Sequence, residues 1–120
     1  MMTREHLKSK LLTAVAQEYG VSKQMLKSRD RYQPLPEARA ILFYIGTRYL
    51  QLTTYEVSSI VDRKHSNAVT QGNKIEYRQQ IYPEIRNRVL SIAQALDPDR
   101  MTNPYFEMYA NLGGYEGDNL

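Results

Sequence analysis

Apolar residues recur three and four positions apart through most of the chain, the spacing of helices that bury one face. Leu7, Leu11, Ala14 and Val15 follow this spacing and Gly20 stands as a stop, which predicts a first helix over about residues 4–19. Ser22 is placed to cap a short second helix ending near Lys27, with Met25 and Leu26 inward. The stretch SRDRYQP (28–34) is polar, ends in proline and reads as a loop. Pro36 suits the first turn of a third helix. Its apolar stripe of Ala38, Ile41, Leu42, Ile45 and Tyr49 makes it the expected central core helix.

TTYE (53–56) is a capping box: the Thr53 hydroxyl accepts from the Glu56 amide, and the Glu56 carboxylate reaches back. It opens a short fourth helix with Val57, Ile60 and Val61 on one side. A break is expected at 62–64, and a fifth helix from His65 or Ser66 to about Gln80. Pro83 opens a sixth, with Ile85, Val89, Ile92 and Leu96 inward, and DPD at 97–99 ends it. No period-2 run supports a strand. The expected fold is all-α: a compact bundle of about six helices over residues 1–96, followed by an acidic, aromatic and flexible tail over 97–120.

Helices four and five, joined by a tight break, have the dimensions of a helix-turn-helix. On a wheel at about 100° per residue, Ala68, Gly72, Ile75 and Gln79 face one side of helix five, with Val69 at its margin. Gly72 on the inward side suggests close approach by another helix. Ser66, Asn67, Thr70, Lys74 and Arg78 face the other side, flanked by Gln71. Amides and hydroxyls read base edges, and Lys and Arg meet guanine or phosphate. By itself the pattern fits equally a solvated outer face or a nucleic-acid reader.

Charge adds direction. Residues 1–96 hold fifteen Lys and Arg against eight Asp and Glu, a net of +7, whereas 97–120 hold five acids against Arg100, a net of −4. A basic body points toward an anionic partner. The tail offers a contact for a protein partner. Cysteine is absent, which excludes disulfides and thiolate chemistry. The start MMTREHLKSK is charged, and the longest apolar run, AILFYI at 40–45, is too short to span a bilayer. A cytoplasmic protein without membrane contact is expected.

At helices three to five the sequence resembles the C-terminal DNA-binding domain of the bacterial chromosomal replication initiator DnaA. The resemblance rests on ARAILFYIGTRYL (38–50), LTTYEVS (52–58) and DRKHSNAVTQGNKIE (62–76), in the family's order and near its spacing. Upstream, VAQEYGVSKQMLKSRDR (15–31) resembles the family's opening helices and basic loop, so that about residues 10–96 are covered. The resemblance implies a Trp-repressor-like helical domain. Its helix-turn-helix would enter the major groove of double-stranded DNA, and its basic loop the adjacent minor groove. Arg63 and His65 match the signature's Arg and His, Ser66 stands for its first Thr, and Arg29 and Arg31 lie in the stretch matching the basic loop.

The departures are specific. Lys64 replaces the signature's Asp, Asn67 its second Thr, and a glycine of its Gly pair is absent. Lys64 cannot cap helix five as Asp would, so Ser66 or water is expected to serve. Lys64 and Asn67 also change the donors and acceptors offered to bases, so a preference for the initiator's own binding box is not expected. Nothing matches the G-x-x-x-x-G-K-[ST] phosphate loop. The expected DNA contacts are Arg29, Arg31, Arg63, Lys64, His65, Ser66, Asn67, Thr70, Gln71, Lys74 and Arg78. The expected role is a stand-alone regulator or replication accessory without ATPase activity. The alternative is a protein-interaction module that keeps the fold without reading DNA.

No catalytic constellation, cofactor loop or small-molecule site is legible, so no enzyme and no cofactor are expected. His6 and His65 lie in different segments without an H-x-x-x-H pair, so no metal is expected either. Tyr44 and Tyr49 are read as packing residues rather than stacking platforms.

Overall fold

The computed structural model describes residues 3–96; the tail expected over 97–120 lies outside the described residues. Six helices follow one another: α1 (Arg4–Tyr19), α2 (Lys23–Lys27), α3 (Leu35–Arg48), α4 (Thr54–Ile60), α5 (His65–Ile81) and α6 (Pro83–Leu96). No strand occurs among the described residues. The fold is all-α, as the periodicity predicts.

Local chemistry sets most of the boundaries. The Thr3 hydroxyl accepts from the His6 amide at 3.1 Å and starts α1. Gly20 ends it in the left-handed conformation at φ 66°, and the Val21 amide donates to the Ala16 carbonyl at 3.0 Å. Ser22 caps α2 by accepting from the Met25 amide at 3.0 Å. The predicted capping box is formed: the Glu56 amide donates to the Thr53 hydroxyl at 3.0 Å, and the Thr53 amide to the Glu56 carboxylate at 2.8 Å.

α3 is the hub. It packs against each of the other five helices. The sequence suggests an apolar stripe, but the helix is buried nearly all round: Ala40, Phe43 and Tyr44 are as enclosed as Ile41 and Leu42. A helix surrounded by neighbours has no solvent side left to be polar. Tyr49 sits at its C-terminal end, half-buried, with its ring 6.4 Å from that of Tyr44 in an edge-on arrangement. Both are packing residues.

Gly46 is where α3 meets its neighbours most closely. A Cβ there would lie 2.4 Å from Val57 Cγ1 and 2.9 Å from Leu11 Cδ2. Gly72 also faces α3, but a Cβ there would meet Phe43 Cβ and the Tyr44 amide nitrogen at 3.7 Å, ordinary van der Waals contact. The approach inferred for Gly72 is present; the steric need for glycine belongs to Gly46.

α6 returns along α1. The Lys10 ammonium donates to the Leu96 carbonyl at 2.8 Å, and Arg88 donates to the Glu18 carbonyl at 3.0 Å. The Arg88 guanidinium lies 4.3 Å from the Tyr19 ring centroid, a cation–π contact. The Tyr19 hydroxyl in turn donates to Glu37 at 2.6 Å, which ties α1 to the start of α3. Burial, and then the Glu37 carboxylate, push the Tyr19 hydroxyl pKa upward.

Candidate nucleic-acid interface

α4, a short turn and α5 form the helix-turn-helix. α4 buries Val57, Ser58 and Ile60. The turn reverses the chain at Asp62, which adopts a left-handed φ of 56°. Asp is among the few side chains that tolerate this region without being glycine. The Asp62 amide donates to the Ser59 carbonyl at 3.3 Å and the Arg63 amide to the Ser58 carbonyl at 2.9 Å, which closes the turn onto the end of α4.

α5 is held against α3 by Ala68, Gly72 and Ile75, all buried. Polar ties fix its far end. The Gln79 side-chain amide donates to the buried Tyr44 hydroxyl at 2.6 Å, and Glu76 pairs with Arg48. Because this face is fully engaged, the opposite one projects outward. Ser66, Asn67, Thr70, Lys74 and Arg78 are exposed, and Gln71 is half-buried at the edge. Lys64 is exposed and His65 half-buried at the start of the helix.

Lys64 occupies the N-cap of α5, and its side chain makes no capping hydrogen bond. Ser66 does not take over that task. It is already the second helical residue, past the non-helical position from which a hydroxyl reaches back to the first-turn amides. Of the two alternatives expected for this helix end, Ser66 or water, the structure rules out Ser66.

The loop between α2 and α3 presents Arg29 and Arg31, both exposed. Its shape comes from a residue that the sequence does not single out. Arg39, on α3, is only 5 % exposed, and its guanidinium donates to four backbone carbonyls. They are Leu26 at 2.8 Å, Asp30 at 2.7 Å, Ser28 at 2.9 Å and Met25 at 3.1 Å. Burial, then the charge of Arg63, hold the Arg39 guanidinium below its usual pKa.

Arg63 approaches the same loop from the other side. It donates to the Ser28 carbonyl at 2.8 Å, and to the carbonyls of Val61 at 3.2 Å and Asp62 at 3.4 Å. The basic loop and the turn of the helix-turn-helix are thus in direct contact. Ser28, the neighbour of Arg29 in the chain, thereby touches the turn that leads through Lys64 into α5. Arg78 lies thirteen residues beyond His65, roughly 20 Å farther along the helix at about 1.5 Å per residue.

Three further residues join this surface without having been singled out. Asn73 and Tyr77 are exposed and lie on the wheel with Ser66 and Thr70. The helical period alone places them there. Tyr55 of α4 is 69 % exposed and stacks on His65, with ring centroids 4.1 Å apart and planes 11° apart. No local signal foretells this pair, because its members stand on different helices. Among the described residues no group of three or more His, Asp or Glu is placed to hold a metal ion, and no helix is long and apolar enough to cross a membrane.

The family model described as the bacterial dnaA protein helix-turn-helix matches residues 9–75. The match runs from α1 through the first part of α5 and contains the loop, the turn and the polar start of α5. No curated protein and no solved structure matches the chain.

Proposed function

Because the chain belongs to the bacterial DnaA helix-turn-helix family, we propose that it binds double-stranded DNA, with α5 in the major groove and the 28–34 loop at the neighbouring minor groove. The observation that carries this reading is the division of α5. One face is spent on α3, and the other projects Ser66, Asn67, Thr70 and Lys74 free of the core. Short uncharged side chains stand at the start of the helix, where base edges are reached first, and cations follow. Arg29 and Arg31 extend from a loop held against the same turn, and arginine suits a narrow minor groove. Lys64, His65, Gln71 and Arg78 complete the proposed contact set, whereas Arg63 turns back onto the protein's own carbonyls.

The role is one of binding rather than catalysis, in the cytoplasm, as a regulator or a replication accessory. ATP-driven assembly is not assigned to these 120 residues, which hold no phosphate-loop sequence. With Lys64 and Asn67 at two signature positions, the preferred site differs from the replication initiator's own box.

Binding to random duplex at low salt, followed by selection from a random pool, tests this reading. Measurable binding is expected, weakening steeply with added salt as counterions are released, and an enriched motif is expected from the pool. No binding at low salt, together with an inert Lys74→Ala change, overturns it. A second reading has one observation in its favour: Tyr77, Ile81 and Tyr82 are 65 %, 47 % and 50 % exposed around the end of α5. An apolar patch there suits a protein partner. That reading takes over if duplex binding is absent while Tyr77→Ala abolishes capture of a protein.

A further inference from the structure

Arg63 stands in the turn that introduces α5, where a cation is readily assigned to a DNA phosphate. Its geometry serves another purpose. All three of its side-chain hydrogen bonds run to backbone carbonyls of the protein, and one of these, at 2.8 Å, belongs to Ser28, thirty-five residues away. The same carbonyl accepts from the buried guanidinium of Arg39 at 2.9 Å. A carbonyl oxygen has two lone pairs, and each arginine takes one. The segment carrying Arg29 and Arg31 has no helix of its own. Arg39 anchors it to α3, and Arg63 anchors it to the helix-turn-helix.

We propose that Arg63 is a positioning residue: by bridging the turn to the Ser28 carbonyl it sets the distance between the loop arginines and α5, and so fixes the spacing between the two groove contacts. The proposal rests on the DNA-binding reading above and deepens it. A planar guanidinium spans the turn and the loop with two separate nitrogens, Nη1 toward Val61 and Nη2 toward Ser28. A single ammonium has one donor atom for both. Arg39 feels the positive charges of Arg63 and Arg31, which Asp30 partly offsets. Like charges repel, so the loop is held there by directional hydrogen bonds against its electrostatics.

The test uses duplexes that carry the selected major-groove motif and an A/T tract, with the distance between them varied one base pair at a time. The full chain is expected to bind one spacing best, with protection of both guanine N7 in the major groove and the sugar edge of the A/T tract. Arg63→Met is expected to keep the guanine protection and lose the tract protection. Its spacing preference should flatten, and affinity for the best duplex should fall about tenfold or more, in line with a lost set of phosphate and minor-groove contacts. Arg63→Lys restores the charge without the fork, and its spacing preference is expected to stay weakened. A thermal melt of each variant, unchanged to within a few degrees, shows that the fold is intact. Two results overturn the proposal while leaving the DNA reading in place. One is Arg63→Met with an unaltered spacing preference. The other is Arg63→Lys restored to wild type in every respect, as a simple phosphate contact would be. If the unaltered chain binds no duplex at all, the DNA reading itself has failed.

Discussion

Arg39 and Arg63 donate to the same carbonyl oxygen, that of Ser28, at 2.9 and 2.8 Å. One arginine comes from the buried hub helix and the other from the turn before α5, so this single acceptor joins the core, the basic loop and the helix-turn-helix.

The two arginines should differ in what they contribute to stability. Arg39→Met removes a donor from four carbonyls; Ser28 keeps Arg63, and Met25 keeps the amide and hydroxyl of Ser28, so the Leu26 and Asp30 carbonyls lose most. A loss of about 2–3 kcal/mol is expected in urea denaturation, since a buried acceptor left without a partner costs roughly 1–3 kcal/mol. Arg63→Met should cost much less, because its side chain is only half-buried and water can replace it.

Within the outward face of α5, residues are expected to divide by chemistry. Lys74→Ala should weaken binding about equally on all duplex sequences and lower the slope of log affinity against log salt by about one. Asn67→Ala should leave the slope nearly unchanged and relax preference at one base position, worth about 1–3 kcal/mol of discrimination. Titrations at several salt concentrations, on matched and single-base-altered duplexes, separate the two.

The Glu56 carboxylate caps α4 and accepts from Arg4 Nε at 2.7 Å. The Arg4 hydrogen bond, then the Thr53 amide, hold its pKa at about 2, below the usual carboxylate range. A carboxyl whose pKa falls on folding stabilises the fold above its unfolded pKa of about 4.3. That contribution disappears as pH drops toward 2. Glu56→Gln retains an acceptor for the capping box and removes the ion pair. Thermal melts should therefore show a wild-type advantage over Glu56→Gln at pH 6 that narrows below pH 4 and vanishes near pH 2. Thr53→Ala, which removes the cap itself, should cost about 1 kcal/mol at every pH.

Two glycines on helical surfaces should respond in opposite directions. Gly72→Ala fits against α3 and relieves the chain of glycine's backbone freedom, so a gain of up to about 1 kcal/mol is expected. Gly46→Ala drives a methyl group into Val57 and Leu11, and a loss of about 1–3 kcal/mol is expected from overpacking. Chemical denaturation of the two variants checks both signs.

Helix positions, the Ser22 and Thr53 caps, the stop at Gly20 and the division of α5 into inner and outer faces are all written in the order of residues. Each depends on neighbours within about four positions, and local hydrogen bonding and a repeat of about 3.6 residues settle such relations before any helix meets another. The all-around burial of α3, the choice of Gly46 over Gly72 as the tight contact, the stack of Tyr55 on His65 and the turning of Arg39 and Arg63 toward Ser28 belong to the folded molecule alone. Their partners lie ten or more residues apart. Arginine in a polar stretch has the same identity whether it meets water, phosphate or a carbonyl. Only the packing of α2, α3 and the turn against one another places an unsatisfied backbone oxygen within its reach, and the need to satisfy that oxygen decides where the charge goes.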